Sequence, residues 1–335
     1  MLAPTDTKER LVIIGNGMAP GRMLEHLFDK EDAGFDVTIF NAEPRVNYNR
    51  LMLSPVLSGE KTYADIITHD DAWYSQHGVT LHKGAKVTDI DRDAKTVTSD
   101  TGITAPYDRL VIATGSNPFI IPLPGHDLRG VMVYRDLDDV DQMIAESAKP
   151  NAKAVVIGGG LLGLESAAGL KMQGMDVTVL HLMPTLMERQ LDEASGHLLE
   201  QALIDRDIKI MTQASTDHIA GDGKVEKVVL KDGTELDADI VVMAVGIRPS
   251  KALAEEIGLE TEHGIIVDDC LRTSDPDIFA LGECVQHRGQ CYGLVAPLYE
   301  MARVLAETLV GEQSAYAGSV TATKLKVTGV DLYSA

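Results

Sequence analysis

The chain has 335 residues, of which 44% are hydrophobic, and its formal net charge is −21, from 51 acidic and 30 basic residues. This length exceeds the size at which single hydrophobic cores usually stop growing, so two or more domains are expected. A strongly negative charge repels the phosphate groups of nucleic acids and anionic lipids. Nucleic acid and membrane partners are therefore not expected. The polar start MLAPTDTKER also lacks the apolar run of a signal peptide, so a cytoplasmic location is expected.

A βαβ unit is predicted near the start of the chain. The apolar run LVII enters a glycine turn, a helical pattern follows, and a second apolar run, FDVTIF, comes next. Gly15 and Gly17 occupy the first two glycine positions of a dinucleotide-binding turn, but Pro20 replaces the third. Proline is tolerated in a first helical turn, because its missing N–H has no intrahelical acceptor there. The turn is therefore predicted to bind phosphate, with its helix slightly shifted.

The same unit recurs in the second half of the chain. KAVVIGGGLLGLES leads into MDVTVL, and this copy keeps all three glycines, Gly158, Gly160 and Gly163. The segments YDRLVIATGSNP and DADIVVMAVGIRPS follow the first and second copies and read as closing strands. A duplicated unit is a much stronger signal than one glycine pair. The predicted fold class is α/β, with two Rossmann-like dinucleotide-binding domains.

Five motifs in this order, GxGxxx, ATG, GxGxxG, AxGxRP and IFALGE, resemble those of the pyridine nucleotide-dependent flavoprotein reductases. YNRLMLSPVLSGEK, VTVLHLMPTLMERQLD and the ending TKLKVTGVDLYSA are similar to the large subunit of NAD(P)H-dependent assimilatory nitrite reductases. The resemblance covers nearly the whole chain and implies an NAD(P)H domain, 119–244, inserted into an FAD domain, 1–118 and 245–318. Residues 319–335 would begin a truncated C-terminal interface domain. Because iron–sulfur and sirohaem domains follow in that family, the chain is expected to be a fragment or a diverged stand-alone reductase.

For FAD, the resemblance implies that the first glycine turn holds the pyrophosphate. Glu43 would bind the ribose, because Asn41 occupies the usual place of the acid, with an exposed loop acid as the alternative. Arg50 would stabilise negative charge on the reduced ring or else be a surface arginine. The helix near Pro297 would direct its positive end at the flavin. The residues expected to contact cofactor in this part are Gly15, Gly17, Met18, Ala19, Glu43, Arg50, Thr114, Gly115, Gly246, Gly282, Glu283, Pro297 and Leu298.

For NAD(P)H, the resemblance implies a site at the second glycine turn. Glu165 would lie close to the nicotinamide and, with Arg50, form the expected catalytic pair. His181 stands at the strand end. An acid at this place indicates NADH, and an arginine nearby indicates NADPH. No arginine stands directly beside it, which favours NADH, although Arg189 could reach in and NADPH stays open. The residues expected to bind this coenzyme are Gly158, Gly160, Leu161, Leu162, Gly163, Glu165 and His181.

The function implied by the resemblance is hydride transfer from NAD(P)H to FAD, followed by single-electron transfer to an iron–sulfur/sirohaem nitrite-reducing module. No cysteine lies between Asn41 and Lys61, which excludes a redox-active dithiol beside the flavin. Two alternatives stay open. One is a stand-alone reductase for a rubredoxin- or ferredoxin-type carrier. The other is a flavin-binding redox-sensing or scaffold module with little turnover. A metal site is not expected, and the late cysteines and histidine are interpreted as packing residues, namely Cys284, His287 and Cys291.

Overall fold

The computed structural model of the protein describes residues 8–30, 34–319, 323–327 and 330–334. The chain divides into two compact units, each built from separate stretches of sequence. Unit 1 comprises Met1–Asn49, Ile67–Asn117 and Arg248–Thr321. Unit 2 comprises Arg50–Ile66, Pro118–Ile247 and Ala322–Ala335.

Helices follow both glycine turns, as predicted, and another begins near Pro297. In chain order, those of the described ranges are α1 Met18–Phe28, α2 Leu53–Leu57, α3 Asp71–Gln76, α4 Leu137–Ser147, α5 Leu161–Met172, α6 Glu193–Ile204, α7 Ala252–Glu256 and α8 Val295–Leu309. Short 3₁₀ turns occupy Arg50–Met52 and Ala64–Ile66. None of the described helices combines the length and the apolar character needed to cross a bilayer.

Unit 1 is organised around a parallel sheet. Within its described residues, the strand order is Ile278–Ala280, Arg109–Ile112, Glu9–Ile14, Phe35–Asn41 and Thr80–Lys83. The central run Leu11–Ile14 is buried throughout, as expected for a strand covered on both faces. Smaller sheets complete the unit: Val87–Asp91 with Thr96–Ser99 and Thr104–Pro106, Asn47–Tyr48 with Ile67–His69, and Ile265–Val267 with Val285–His287 and Gln290–Cys291.

Unit 2 repeats this plan. Over its described residues, the parallel strand order is Val131–Met132, Ile240–Met243, Lys153–Ile157, Asp176–Leu180 and Lys209–Met211. In both units the strand that enters the glycine turn is central and pairs with the next strand of its βαβ unit. The predicted pair of Rossmann-like sheets is therefore confirmed. The remaining strands are Thr216–Ala220, Lys227–Leu230, Glu235–Asp237, Thr323–Val327 and Val330–Ser334, with Ser116–Pro118 and Ile247–Pro249 where the chain passes between the units.

The segment Arg50–Ile66 groups with unit 2. The physical reason for this grouping is that the segment packs on α5. A Cβ built on Gly169 would lie 2.7 Å from Cγ of Leu57, and Gln173 Nε2 donates to the Leu57 carbonyl at 2.7 Å. The domain boundaries 1–118, 119–244, 245–318 and 319–335 stay a prediction. Within the last of these, residues 320–322, 328–329 and 335 lie outside the described part of the chain.

Asp139, at the start of α4, has a carboxyl group whose pKa is raised by its surroundings. Asp136 accepts from the Asp139 N–H at 3.0 Å, and Asp139 Oδ2 accepts from the N–H groups of Arg135 at 2.7 Å and Asp136 at 3.2 Å. Burial, reinforced by the charge of Asp136, raises the pKa of Asp139 from its usual 3.8 to about 6. Between these values the folded state binds more protons than the unfolded state, so the free energy of unfolding falls as pH rises.

We predict that Asp139→Asn removes this pH dependence, because asparagine keeps an acceptor oxygen but cannot ionise. Between pH 4 and pH 6.5 the wild type should lose about 1 to 2 kcal/mol more stability than the variant. Urea unfolding of both proteins across this range provides the measurement. The exposed neighbour Asp138 gives the control, since Asp138→Asn should follow the wild-type profile. Parallel profiles for wild type and Asp139→Asn would contradict the prediction.

Candidate functional site

The unit 1 glycine turn, Gly15–Gly17, can be formed only by glycine at its first position. Gly15 has φ +107°, and a Cβ there would lie 2.3 Å from the Ala113 carbonyl oxygen. Its N–H donates to the Phe40 carbonyl at 2.8 Å. Gly17 caps α1, and a Cβ at this position would meet nothing within 4 Å. The turn therefore faces open space at the helix N-terminus, where a pyrophosphate needs close approach to the backbone.

Pro20 lies in the first turn of α1, as predicted, and it is buried. The helix begins at Met18, immediately after Gly17, just as α5 begins immediately after Gly160. The proline thus leaves the position of the helix start within the turn unchanged. Ala19, in the same first turn, is also buried.

A buried polar network behind this turn was not predicted from the sequence. Asn47 Nδ2 donates to the carbonyl oxygens of Asn16 at 2.9 Å and Gly17 at 2.7 Å. Tyr74 donates its hydroxyl proton to Asn16 Oδ1 at 2.9 Å. These bonds satisfy the carbonyl groups of Asn16 and Gly17 from within unit 1. No short-range motif links Asn47 to a turn 30 residues earlier in the chain.

Other predicted FAD residues gather around the same turn. A Cβ on Gly282 would lie 3.4 Å from the Ala19 Cβ, Ser116 donates to Glu283 Oε2 at 2.7 Å, and Thr114 Oγ1 donates to the Ser250 carbonyl at 2.6 Å. The left-handed Gly115 accepts at its carbonyl from the Ser250 N–H. Pro297 and Leu298 lie in the first turn of α8, which packs against α1.

The residues proposed for the FAD ribose have defined roles in the loop after Phe35–Asn41. Asn41 is buried, and its Nδ2 donates to the Arg45 carbonyl at 2.8 Å. Glu43 is half-buried, with Oε2 accepting from the Tyr48 hydroxyl at 2.8 Å. The amide of Asn41 therefore fixes the loop that presents the carboxylate. The assignment of the ribose to Glu43 stays a prediction.

The unit 2 glycine turn, Gly158–Gly160, has the same geometry. Gly158 has φ +125°, and a Cβ there would lie 2.2 Å from the Ala244 carbonyl oxygen. Gly160 caps α5 with open space beyond its Cα. A Cβ on Gly163 would lie 1.9 Å from the Gly158 carbonyl oxygen, so the helix packs closely on the turn at this glycine. The first turn of α5 holds Leu161 and Leu162.

A chain of hydroxyl groups leads to the buried carboxylate of Glu165 on α5. Ser54 donates to Glu165 Oε2 at 2.7 Å, and Tyr134 donates to Ser54 Oγ at 3.0 Å. All three side chains are buried, and burial raises the pKa of Tyr134, which therefore stays protonated as a donor. Arg50 lies at the start of the same segment and donates from Nη1 to the Arg135 carbonyl at 3.0 Å. Its proposed role beside the flavin stays a prediction.

We predict that Ser54→Ala destabilises the protein by about 2 to 3 kcal/mol, because the buried Tyr134 hydroxyl loses its acceptor and Glu165 loses a donor. Tyr134→Phe should cost only about 1 kcal/mol, since Ser54 still donates to Glu165. The double variant should cost less than the sum of the two. Urea unfolding in a double-mutant cycle gives the measurement. Simple additivity would show that the hydroxyl chain does not act as one network.

His181 follows Asp176–Leu180, and its ring is directed at the glycine turn. Its Nδ1 accepts from the Gly159 N–H at 3.0 Å, and its Nε2 lies 3.1 Å from Glu188 Oε2. The side chain is almost fully buried. Gly246, predicted to border a cofactor, has φ +121° and accepts from the Phe119 N–H at 2.9 Å.

The late cysteines and histidine have separate environments. Cys284 is buried and its thiol donates to the Leu281 carbonyl at 3.3 Å, while Cys291 is exposed, so the interpretation of Cys291 as a packing residue is wrong. The His287 Nε2 lies 2.8 Å from Asp269 Oδ1. Over the described residues, no group of three or more histidine, cysteine, aspartate or glutamate side chains is arranged to hold a metal ion.

Comparison with known proteins identifies relatives of this chain. Residues 9–302 match the pyridine nucleotide-disulphide oxidoreductase family. A nitrite reductase [NAD(P)H] of Bacillus subtilis is 50% identical over 329 residues, covering 98% of this chain and 41% of that protein. An assimilatory nitrate reductase electron transfer subunit of the same organism is 43% identical, covering 98% of this chain and 42% of that protein. The chain thus spans about two fifths of the length of these relatives.

Solved structures share the fold. The chain in a covalent complex of putidaredoxin reductase with putidaredoxin matches with a TM-score of 0.89 and 27% identity, covering 97% of this chain and 80% of that chain. An NADH:rubredoxin oxidoreductase from Clostridium acetobutylicum matches with a TM-score of 0.80 and 26% identity, covering 96% of this chain and 80% of that chain. The overall architecture of this chain therefore occurs in known reductases.

Proposed function

The chain belongs to the pyridine nucleotide-disulphide oxidoreductase family, and from this premise we propose that it is the FAD- and NAD(P)H-binding part of an assimilatory nitrite reductase. In this role it takes hydride from NAD(P)H onto FAD and passes electrons singly to an iron–sulfur/sirohaem module. The observation that carries the proposal is the repeated glycine turn. In each unit, one glycine is required by its backbone conformation, and the glycine two positions later leaves open space at a helix N-terminus.

Unit 1 is proposed to hold FAD. The residues that fit this role are those of the unit 1 glycine turn and the segments that meet it, namely Gly15, Gly17, Met18, Ala19, Thr114, Gly115, Gly282 and Glu283, with Glu43 for the ribose and Pro297 and Leu298 at the start of α8. The protein supplies binding and orientation, while bound FAD supplies the chemistry that accepts two electrons as hydride and gives them up one at a time.

Unit 2 is proposed to hold NAD(P)H on Gly158, Gly160, Leu161, Leu162 and Gly163, with His181 and Gly246 bordering the site. Glu165, held by the hydroxyl chain from Ser54, is proposed to orient the nicotinamide. Arg50, anchored on the Arg135 carbonyl, would stabilise negative charge on the reduced flavin. Neither residue needs to transfer a proton, because hydride transfer depends on geometry and local charge.

The proposed electron acceptor is an iron–sulfur centre, and the proposed location is the cytoplasm. The nitrite reductase and the electron transfer subunit from Bacillus subtilis support an assimilatory role. The likeness to a reductase solved in complex with putidaredoxin favours a second candidate, a reductase that serves a separate small carrier. The two differ in whether the acceptor domain is covalently continuous with the flavin domain or diffuses to it.

An anaerobic titration of the purified chain with NADH and then NADPH, followed through the visible flavin spectrum, tests the proposal. Stoichiometric bleaching by one coenzyme is the expected result. A protein that neither retains nor takes up FAD would overturn the proposal. Subsequent addition of a small iron–sulfur carrier separates the two candidates, since rapid reoxidation by the carrier supports the second.

A further inference from the structure

We propose that Glu188 is the residue that selects between NADH and NADPH, with His181 as the residue that positions it. This inference rests on the proposed binding of NAD(P)H to unit 2. In Rossmann-type sheets, an acidic side chain at the end of the second strand binds the adenosine ribose and disfavours a 2′-phosphate. Here that strand ends at Leu180 and the next residue is His181, so the acid has to come from elsewhere.

The ring of His181 is fully engaged by the protein. Because the Gly159 N–H can donate only to an unprotonated ring nitrogen, Nδ1 is the acceptor and the ring proton is on Nε2. That proton is then donated to Glu188 Oε2 at 3.1 Å. With 8% of its surface exposed, His181 has no ring nitrogen left for a ribose hydroxyl.

The loop that carries Glu188 is attached directly to the unit 2 glycine turn. The Met187 N–H donates to the Gly159 carbonyl at 3.0 Å, so Gly159 is bonded through both its N–H and its C=O. There is no room for a side chain at Gly159, because a Cβ would lie 2.6 Å from Leu186 Cδ2 and 2.7 Å from His181 Cγ. The loop and the turn therefore form one packed element.

The backbone at Met187 returns the chain toward His181. Met187 has φ +51°, in the left-handed region that non-glycine residues rarely occupy, and its side chain is completely buried. Such conformations persist where the surrounding packing imposes them, and they cluster at functional sites. In this loop the conformation places the next residue, Glu188, against the histidine.

Glu188 retains a carboxylate oxygen for a ligand. Oε2 faces His181, while the cation that approaches Oε1 among the described residues is Arg189, whose Nε lies 4.0 Å away, beyond hydrogen-bond distance. The Glu188 side chain is 30% exposed, and that of Arg189 is 87% exposed. A carboxylate at this place can accept from ribose hydroxyls and repels a 2′-phosphate, so the site should favour the coenzyme without that phosphate.

The test measures binding of two coenzyme fragments, ADP-ribose and 2′-phospho-ADP-ribose, by isothermal titration calorimetry. These ligands need neither flavin nor hydride transfer. The wild type should bind ADP-ribose more tightly. In Glu188→Gln, the ratio of the two dissociation constants should shift toward 2′-phospho-ADP-ribose by about tenfold or more, because the carboxylate charge is lost. Glu193→Gln, an exposed change on the neighbouring helix α6, should leave the ratio unchanged.

The outcomes separate this inference from the proposed function. Failure of wild-type protein to bind either fragment would overturn the assignment of NAD(P)H to unit 2. Binding of both fragments with an unchanged ratio in Glu188→Gln would overturn only the role of Glu188. A larger shift of the ratio in Arg189→Gln than in Glu188→Gln would also overturn it, because selection would then depend on the cation.

Discussion

Gly17→Val is expected to abolish FAD binding while the affinity of the protein for ADP-ribose stays at the wild-type value. The valine side chain would occupy the open space beyond Gly17, where a Cβ meets no protein atom within 4 Å, so unit 1 can fold around it. The same space is needed by the pyrophosphate, whose oxygens must reach the N–H groups at the start of α1. We expect a loss of FAD affinity of about 100-fold or more, roughly 3 kcal/mol.

Gly160→Val supplies the reciprocal control in the other glycine turn. It should remove ADP-ribose binding and leave FAD binding intact, because a Cβ on Gly160 also meets no protein atom within 4 Å. Reconstitution with FAD, followed by absorbance, and calorimetric titration with ADP-ribose measure the two effects on each variant. If Gly17→Val lost ADP-ribose and Gly160→Val lost FAD, the assignment of cofactors to the two units would be reversed.

The sequence was sufficient to predict both parallel sheets and the position of the glycine turn in each. These features depend on short-range constraints: a buried strand, a turn that only glycine can form, and a helix start within a few residues. Gly163 illustrates this, since its steric restriction comes from the carbonyl oxygen of Gly158 at the start of the same turn. Even the departure at Pro20 could be interpreted, because the first helical turn tolerates proline for local reasons.

The polar contacts that support the turns were not predictable from the sequence. Asn47 reaches the turn carbonyls from a separate strand, and Ser54 reaches Glu165 across 111 positions of the chain. Glu188 meets His181 only because Met187 adopts a left-handed conformation, for which an unbranched apolar residue gives no signal. The grouping of Arg50–Ile66 with unit 2 has the same origin, since it depends on how Leu57 packs against Gly169.

Gly163→Ala is expected to destabilise the protein, although the same change at an ordinary helical position is stabilising. Alanine exceeds glycine in helix propensity by about 1 kcal/mol, so propensity alone predicts a gain. In α5, however, the new methyl group would lie 1.9 Å from the Gly158 carbonyl oxygen. Because that oxygen belongs to the backbone of the turn, helix and turn must separate, and we expect a net loss of about 2 to 4 kcal/mol.

The corresponding position of unit 1 provides the contrast. Pro20→Ala should change stability by less than about 1 kcal/mol, since α1 already accommodates a larger side chain there. Urea unfolding gives the free energy of unfolding of each variant, and calorimetry gives its affinity for ADP-ribose. Gly163→Ala should also lower this affinity, because the Gly158 carbonyl is displaced. A stabilised Gly163→Ala variant would show that the helix can move away from the turn without cost. Close contact of helix and turn at Gly163 would then not be what shapes the phosphate site of unit 2.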